Sequence, residues 1–303
     1  MPRRTVIVLA ALVALLTLLA GHVRALEPRV AVAVGPGDIY LALGDSLATG
    51  DEEPANSAAE GNLPGYPVYL DQILDQTRPI SLTILAQSGE SSVTMRASGG
   101  QLQQAVAYIG AQRAAGRQVS PVTLSIGGND MVNTFLGVPG PPLTITDTLP
   151  LFRDNLEFIL DGLLGALTEN GQRTGDLILM TYYNPYPGLT IRSTPPFIVL
   201  PPDQEPIVTD VEVPRFNQII VEEAAERGLT VVDGFSRFQG REPIYLFVRF
   251  PYDFNDLLNL RRNFDYHPRV AGHWNLAYGF AEASGYQLKL PRAILPLLRA
   301  PEG

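Results

Sequence analysis

The chain has no cysteine and only three histidines in 303 residues. The absence of cysteine removes disulfides, thiol nucleophiles, cysteine metal sites and a lipid anchor carried on cysteine. It leaves an extracellular life open, because a chain long enough for a sizeable core can be stable without cross-links. Scarce histidine disfavours a metal-dependent hydrolase, whose site would have to be built from carboxylates. The run Asp51-Glu52-Glu53 is such a cluster, and it reads better as a solvated loop than as a calcium site. Positive charge is short as well. Lys and Arg number 22 against 31 Asp and Glu, a formal −9, so the surface lacks the basic character that binding nucleic acid requires.

An uninterrupted apolar run of membrane-spanning length, about 20 residues, is also missing. The longest, Thr5 to Ala20, falls short of it. It follows Arg3 and Arg4 and precedes Val23-Arg24-Ala25, which has the residue sizes expected before a processing site. A basic, then apolar, then small-residue order describes an export signal cleaved after Ala25, with a retained N-terminal anchor as the alternative. Residues 26–303 then form a single domain, secreted or held in the cell envelope, with no stable membrane span after processing. A monomer is expected.

What the chain does have is a 46% share of hydrophobic residues, enough for a folded core, arranged as alternating strands and helices. Short apolar runs predict strands at Ile39 to Leu43, Ser81 to Ala86, Pro121 to Ile126, Leu177 to Thr181 and Leu229 to Val232. Helical spacing predicts helices at about Tyr66 to Gln76, Gly100 to Ala115, Leu151 to Thr168, Phe216 to Arg227 and Val270 to Leu288. Alternation of this kind gives an α/β layered domain around a parallel sheet with right-handed crossovers. Two long loops interrupt it, a proline-rich one at about 188–213 and an aromatic-rich one at about 234–266.

The chemistry collects at strand ends. The first strand stops at Gly44 and is followed by Asp45 and Ser46. Alone, Gly-Asp-Ser describes a turn as well as it describes a nucleophile. The second strand leads to Gly89 and the third to Gly127-Gly128-Asn129-Asp130, and in a parallel sheet these ends share one edge. Near the C-terminus, Asp265-Tyr266-His267-Pro268 supplies an imidazole. Ser46 and His267 can act as nucleophile and base. The main-chain N–H groups of Ser46 and Gly89 and the side-chain amide of Asn129 can face a developing oxyanion, where one donor is typically worth about 3–4 kcal/mol. At Gly89 the missing Cβ would let the backbone come close to the reacting carbonyl. Asp45 and Asp130 read as braces of their loops, and His273 as a packing residue.

In this order the motifs resemble those of the SGNH/GDSL hydrolases, esterases and lipases named for their Ser, Gly, Asn and His blocks. Gly44-Asp45-Ser46-Leu47 is similar to the first block, Gly89 to the second, Gly127 to Asp130 to the third and His267-Pro268 to the last. The resemblance spans about residues 38–285. It implies a three-layer α/β/α sandwich on a flavodoxin-like parallel five-stranded sheet, hydrolysis of carboxylic esters through an acyl-enzyme on Ser46, and no metal or organic cofactor. Tyr182, opening the segment Tyr182 to Pro187, resembles the stretch after the fourth strand in secreted bacterial members and is a candidate substrate contact.

One position departs from the family pattern. The aspartate usually found three residues before the histidine is replaced by Phe264, and the nearest carboxylate, Asp265, lies two before. Either Asp265 orients the ring, or a main-chain carbonyl near Phe264 does so in a Ser–His dyad. The substrate is an ester, with lipids, phospholipids and acylated glycans as the competing classes; a non-catalytic binding module is the alternative of another kind. Phe250, Tyr252 and Phe254 are candidates for one wall of an acyl pocket and Phe135 for another, which favours an acyl group longer than acetyl. Arg249, Arg261 and Arg262 read as a solvated rim.

Overall fold

A computed structural model of the chain describes residues 33–50, 56, 63–136, 144–191, 205–256 and 259–289. The expected export signal, the Asp51-Glu52-Glu53 run and the middle of the proline-rich loop lie outside the described residues, as does the Arg261 side chain.

Five strands form the central sheet: β1 (Ile39–Gly44), β2 (Ser81–Ile84), β3 (Val119–Ser125), β4 (Leu177–Met180) and β5 (Thr230–Val232). All neighbours are parallel, and the order is β2-β1-β3-β4-β5. This is the flavodoxin-like arrangement, in which the chain reverses its direction of travel between β1 and β3. Burial follows position. The inner strands β1, β3 and β4 are buried at every residue, whereas the edge strand β2 is partly exposed. Continuous apolar runs such as Ile39 to Leu43 result from coverage of both faces. Within β3 the register against β1 shifts at Ser120-Pro121, a bulge that tolerates a residue with no N–H to give the ladder.

The helices are α1 (Ser46–Thr49), α2 (Tyr66–Leu74), α3 (Ser92–Arg96), α4 (Gln101–Ala114), α5 (Gly128–Leu136), α6 (Ile145–Ala166), α7 (Thr209–Glu226), α8 (Gly234–Phe238), α9 (Glu242–Tyr245), α10 (Leu260–Asn263) and α11 (Val270–Ala283). Right-handed crossovers send α4, α6 and α7 to one face and return α2 and α11 to the other. The packing agrees: α6 touches both α4 and α7, and α2 lies along α11. The three-layer sandwich is therefore as expected.

Several boundaries differ. Helices α6 and α7 begin at Ile145 and Thr209, ahead of the expected Leu151 and Phe216, and carry Pro150 and Pro214 inside them. Helix α5 lies between the expected third strand and the helix expected at Leu151, where no element was expected. The proline-rich excursion is closed at its base by pairing of Thr190–Ile191 with Ile207–Val208, and it ends at α7 rather than running to residue 213. The aromatic-rich connection contains α8, α9 and α10.

The turn from β1 into α1 is tightly constrained. Gly44 has φ +125°, and a Cβ there would lie 2.1 Å from the Ser125 carbonyl oxygen of β3. Its N–H donates to Gln101 Oε1 at 2.6 Å, and its carbonyl accepts from Gln101 Nε2 at 2.9 Å and from the Gln87 N–H at 3.0 Å. A side chain at residue 44 would therefore push β1 from β3 and break a buried network together. Gly44→Ala is expected to lower unfolding free energy by about 3–5 kcal/mol in urea titrations, combining backbone strain with overpacking. A loss under about 1 kcal/mol, the size of an ordinary surface change, would show that the turn can relax.

Candidate active site

Ser46 opens α1 at the carboxyl end of β1, beside the point where strand order reverses. Asp45 caps that helix: its Oδ1 accepts from the Leu47 N–H at 3.1 Å and from Ser125 Oγ at 3.3 Å, and its Oδ2 accepts from Tyr182 Oη at 2.5 Å. Burial pushes the Asp45 carboxyl up to about 6, against the opposing pull of those donors.

His267 reaches the serine from the far end of the chain. Its Nε2 lies 3.0 Å from Ser46 Oγ, and its Nδ1 lies 2.6 Å from Asp265 Oδ1. The same carboxylate oxygen accepts from the His267 main-chain N–H at 3.1 Å, while Oδ2 accepts from Asn56 Nδ2 at 2.6 Å. Burial pushes the Asp265 carboxyl up, but His267 and Asn56 outweigh it and hold the group below its ordinary value. The alternative orienter is engaged elsewhere, since the Phe264 carbonyl accepts from Tyr186 Oη at 2.7 Å.

The segment carrying His267 is held in place along its length. Phe247 N–H donates to the His267 carbonyl at 3.1 Å, Arg269 N–H to Tyr245 at 2.7 Å and Arg249 N–H to Asn263 at 2.9 Å. Tyr183 Oη donates to the Tyr266 carbonyl at 2.8 Å. Thus Tyr182, Tyr183 and Tyr186 bond respectively to the residue before the serine and to the carbonyls on either side of the Asp265 side chain. Asn217 of α7 fixes the start of this segment, exchanging two 2.7 Å hydrogen bonds with the Tyr182 main chain.

Asn129 lies in the first turn of α5, lines the cleft at Ser46 and donates from Nδ2 to the Glu90 carbonyl at 2.9 Å. Gly89, one residue before that carbonyl, has φ +78° and open space where a Cβ would stand. Its positive φ is one that glycine adopts without strain. Asp130 braces the same edge, accepting from Ser92 N–H at 2.8 Å and Ser92 Oγ at 2.5 Å. Buried Gln101 joins the two blocks, donating to both Gly44 and Glu90 Oε2. His273 is buried against Tyr69 and held down to about 3 by burial.

The cleft at Ser46, about 20 Å³, is walled by Met131, Val132, Tyr182, Tyr183, Pro185 and Tyr266, with Asp45 also on its lining. Burial pushes the Tyr266 phenol up to about 12 and Tyr182 and Tyr183 higher, so these phenols are neutral. Four expectations need correction. Phe135 is fully buried in the core, because α5 turns Met131 and Val132 to the cleft instead. Phe250, Tyr252 and Phe254 gather with Phe264, Tyr252 stacking on it at 5.8 Å and Phe254 lying at 5.1 Å; they support the loop behind Asp265. The residue that sequence reasoning missed is Asn56, which sits in a polar stretch with no local signal of its partner.

The sequence profile of the GDSL-like lipase/acylhydrolase family matches residues 42–274. Comparison with functionally curated proteins gave no match. Among solved structures, an extracellular lipase from Streptomyces rimosus aligns with TM-score 0.51 at 17% identity, over 81% of this chain and 99% of that one. A GDSL-like lipase from Parabacteroides merdae, described as putative, aligns with TM-score 0.51 at 15% identity, over 82% and 95%. A catalytic mutant of an acetylxylan esterase from Geobacillus stearothermophilus aligns with TM-score 0.52 at 17% identity, over 86% and 100%. At these identities the likeness is one of fold.

The raised Asp45 carboxyl has a consequence for stability. The folded state binds a proton there more tightly than the unfolded chain, so this contribution is full below about pH 4 and is lost as pH rises through about 6, a change of about 3 kcal/mol. Asp45→Asn keeps an acceptor for the Leu47 N–H and is expected to remove that slope. Urea midpoints at pH 4, 5, 6 and 7 test this, and equal slopes in the two proteins would contradict it.

Proposed function

The chain belongs to the GDSL-like lipase/acylhydrolase family, and on that premise we propose that it hydrolyses carboxylic esters with Ser46 as nucleophile. The observation that carries the reading is the unbroken line from Asp265 through His267 to Ser46, with contacts of 2.6 and 3.0 Å. His267 Nε2 takes the serine proton as Oγ attacks the ester carbonyl. The N–H groups of Ser46 and Gly89 and the amide of Asn129 receive the oxyanion. Collapse of the tetrahedral intermediate expels the alcohol, which takes the proton from His267 and leaves an acyl-serine. Water, deprotonated by the same imidazole, then attacks that ester, and the acid departs as Ser46 regains its proton. Asp265 remains ionised, fixing the ring so that Nδ1 carries hydrogen and Nε2 is free to accept.

The acyl group is short. A narrow cleft walled by Met131, Val132 and neutral phenols suits a chain of few carbons, and the aromatics that would have extended it lie around Phe264 instead. No step calls for a metal. The N-terminal order of basic, apolar and small residues supports export, with residues 1–25 as the signal; among the described residues no helix is long and apolar enough to cross a membrane.

Acetyl, butyryl, octanoyl and dodecanoyl p-nitrophenyl esters provide the test. Turnover is expected to peak at acetyl or butyryl and to be indifferent to chelators; a peak at octanoyl or beyond overturns the short-acyl reading. Ser46→Ala is expected to lower kcat by on the order of 10⁴-fold or more and Asp265→Ala by on the order of 10³–10⁴. Asn129→Ala should cost about 10²–10³. Full activity in the Ser46→Ala protein would sink the mechanism.

A further inference from the structure

We propose that Asn56, supported by Arg262, is a positioning residue for the carboxylate that orients the catalytic imidazole. The inference rests on the triad reading of Ser46, His267 and Asp265. It starts from the shortened spacing. With one residue between Asp265 and His267, the carboxylate turns back on its own loop, and a single oxygen, Oδ1, takes both the main-chain N–H at 3.1 Å and Nδ1 at 2.6 Å. The second oxygen of this buried carboxylate also needs a donor, since desolvation without one favours protonation, and Asn56 Nδ2 supplies one to Oδ2 at 2.6 Å.

Asn56 comes from a part of the chain 209 residues away and is 5% exposed. Its own orientation is determined: Oδ1 accepts from Arg262 Nε at 3.3 Å, so the NH₂ end faces Asp265. The arginine also polarises the amide in the direction that strengthens its donation to a carboxylate. A line of five side chains therefore runs Arg262, Asn56, Asp265, His267, Ser46. Asn56 touches neither substrate nor the reacting atoms, and it acts through Asp265. A purely structural role, in which Asn56 only ties its stretch of chain to the body, makes a different forecast: its loss would then be felt whether or not residue 265 carries a carboxylate.

A double-mutant cycle separates the two. Asn56→Ala removes the donor. Asn56→Leu keeps the volume but has no N–H to give and adds no charge, so it reports on the donor where the alanine protein is poorly folded. In the otherwise wild-type chain each is expected to lower kcat about ten- to hundredfold, the scale of one hydrogen bond to a charged group, with KM for p-nitrophenyl acetate unchanged. In the Asp265→Ala background neither should lower kcat further by more than about twofold, within the additivity error of such cycles. An equal loss in both backgrounds, an effect confined to KM, or wild-type kcat in both Asn56 variants would overturn the inference while leaving the triad intact. Wild-type kcat in Asp265→Ala alone would instead overturn the triad reading and this inference with it.

Discussion

A carboxylate with 4% exposure must be given hydrogen bonds wherever it lies, because an unpaired charge in a low-dielectric interior costs several kcal/mol. Asp265 is such a group, and the donors it requires come from distant parts of the chain. Its own loop supplies the His267 ring and main chain, and the polar stretch after β1 supplies Asn56. The segment after β4 secures the carbonyls of Phe264 and Tyr266 that flank it. These pieces can meet only because parallel strands bring their carboxyl ends to one edge of the sheet. The site thus depends on strand order, and the His267 loop depends on being tied to the segments that follow β1 and β4.

The nucleophile side follows the same rule with neutral groups. Gln101 is 0% exposed and uses both ends of its amide to join Gly44 to Glu90, and the Glu90 carbonyl in turn receives Asn129. A buried polar network whose members are paired is rigid, because breaking any one bond strands its partner away from water. Rigidity matters here for a chemical reason. Donors to an oxyanion contribute most when they need no reorganisation at the moment charge develops. On the proposed mechanism, Gly44 and Gln101 would serve the reaction by holding these donors still, although neither bears its charge.

Residue types at strand ends made most of this legible beforehand. Buried strands show as continuous apolar runs, and Ser46 and Asn129 are short steps from such runs, while His267 was legible from its Asp265-Tyr266-His267-Pro268 block and the scarcity of histidine. Helix starts were obscured by proline: Pro150 and Pro214 read as breaks, yet each falls early enough in α6 and α7 for the turns before it to form. Phe135 was misplaced because nearness in sequence to Asn129 stood in for nearness in space. Once residues 128–136 are helical, a face separates Met131 and Val132 from Phe135, and only the former pair meets the cleft. The aromatics at 250–254 carry a hydrophobic signal that cannot say which surface they cover. Asn56 had no signal at all, since a polar residue in a polar stretch looks the same with or without a buried partner 209 residues away.

The two carboxylates of the site have opposite electrostatic fates, and the contrast assigns their roles. Asp45 is surrounded by neutral donors, a phenol, a hydroxyl and a main-chain N–H, so burial dominates and pushes it up to about 6. Asp265 faces an imidazole as well as an amide, and these hold it down despite burial. A group that orients a base and balances the imidazolium formed in the transition state must remain ionised throughout. Asp265 meets that condition across the range in which an imidazole can work, whereas Asp45 can gain a proton within it. Its useful property is accepting hydrogen bonds that set the Ser46 turn, which a carboxyl retains in either protonation state. The spacing of two residues at Asp265-Tyr266-His267 therefore changes how the carboxylate is held while leaving it against the imidazole, as the proposed mechanism requires.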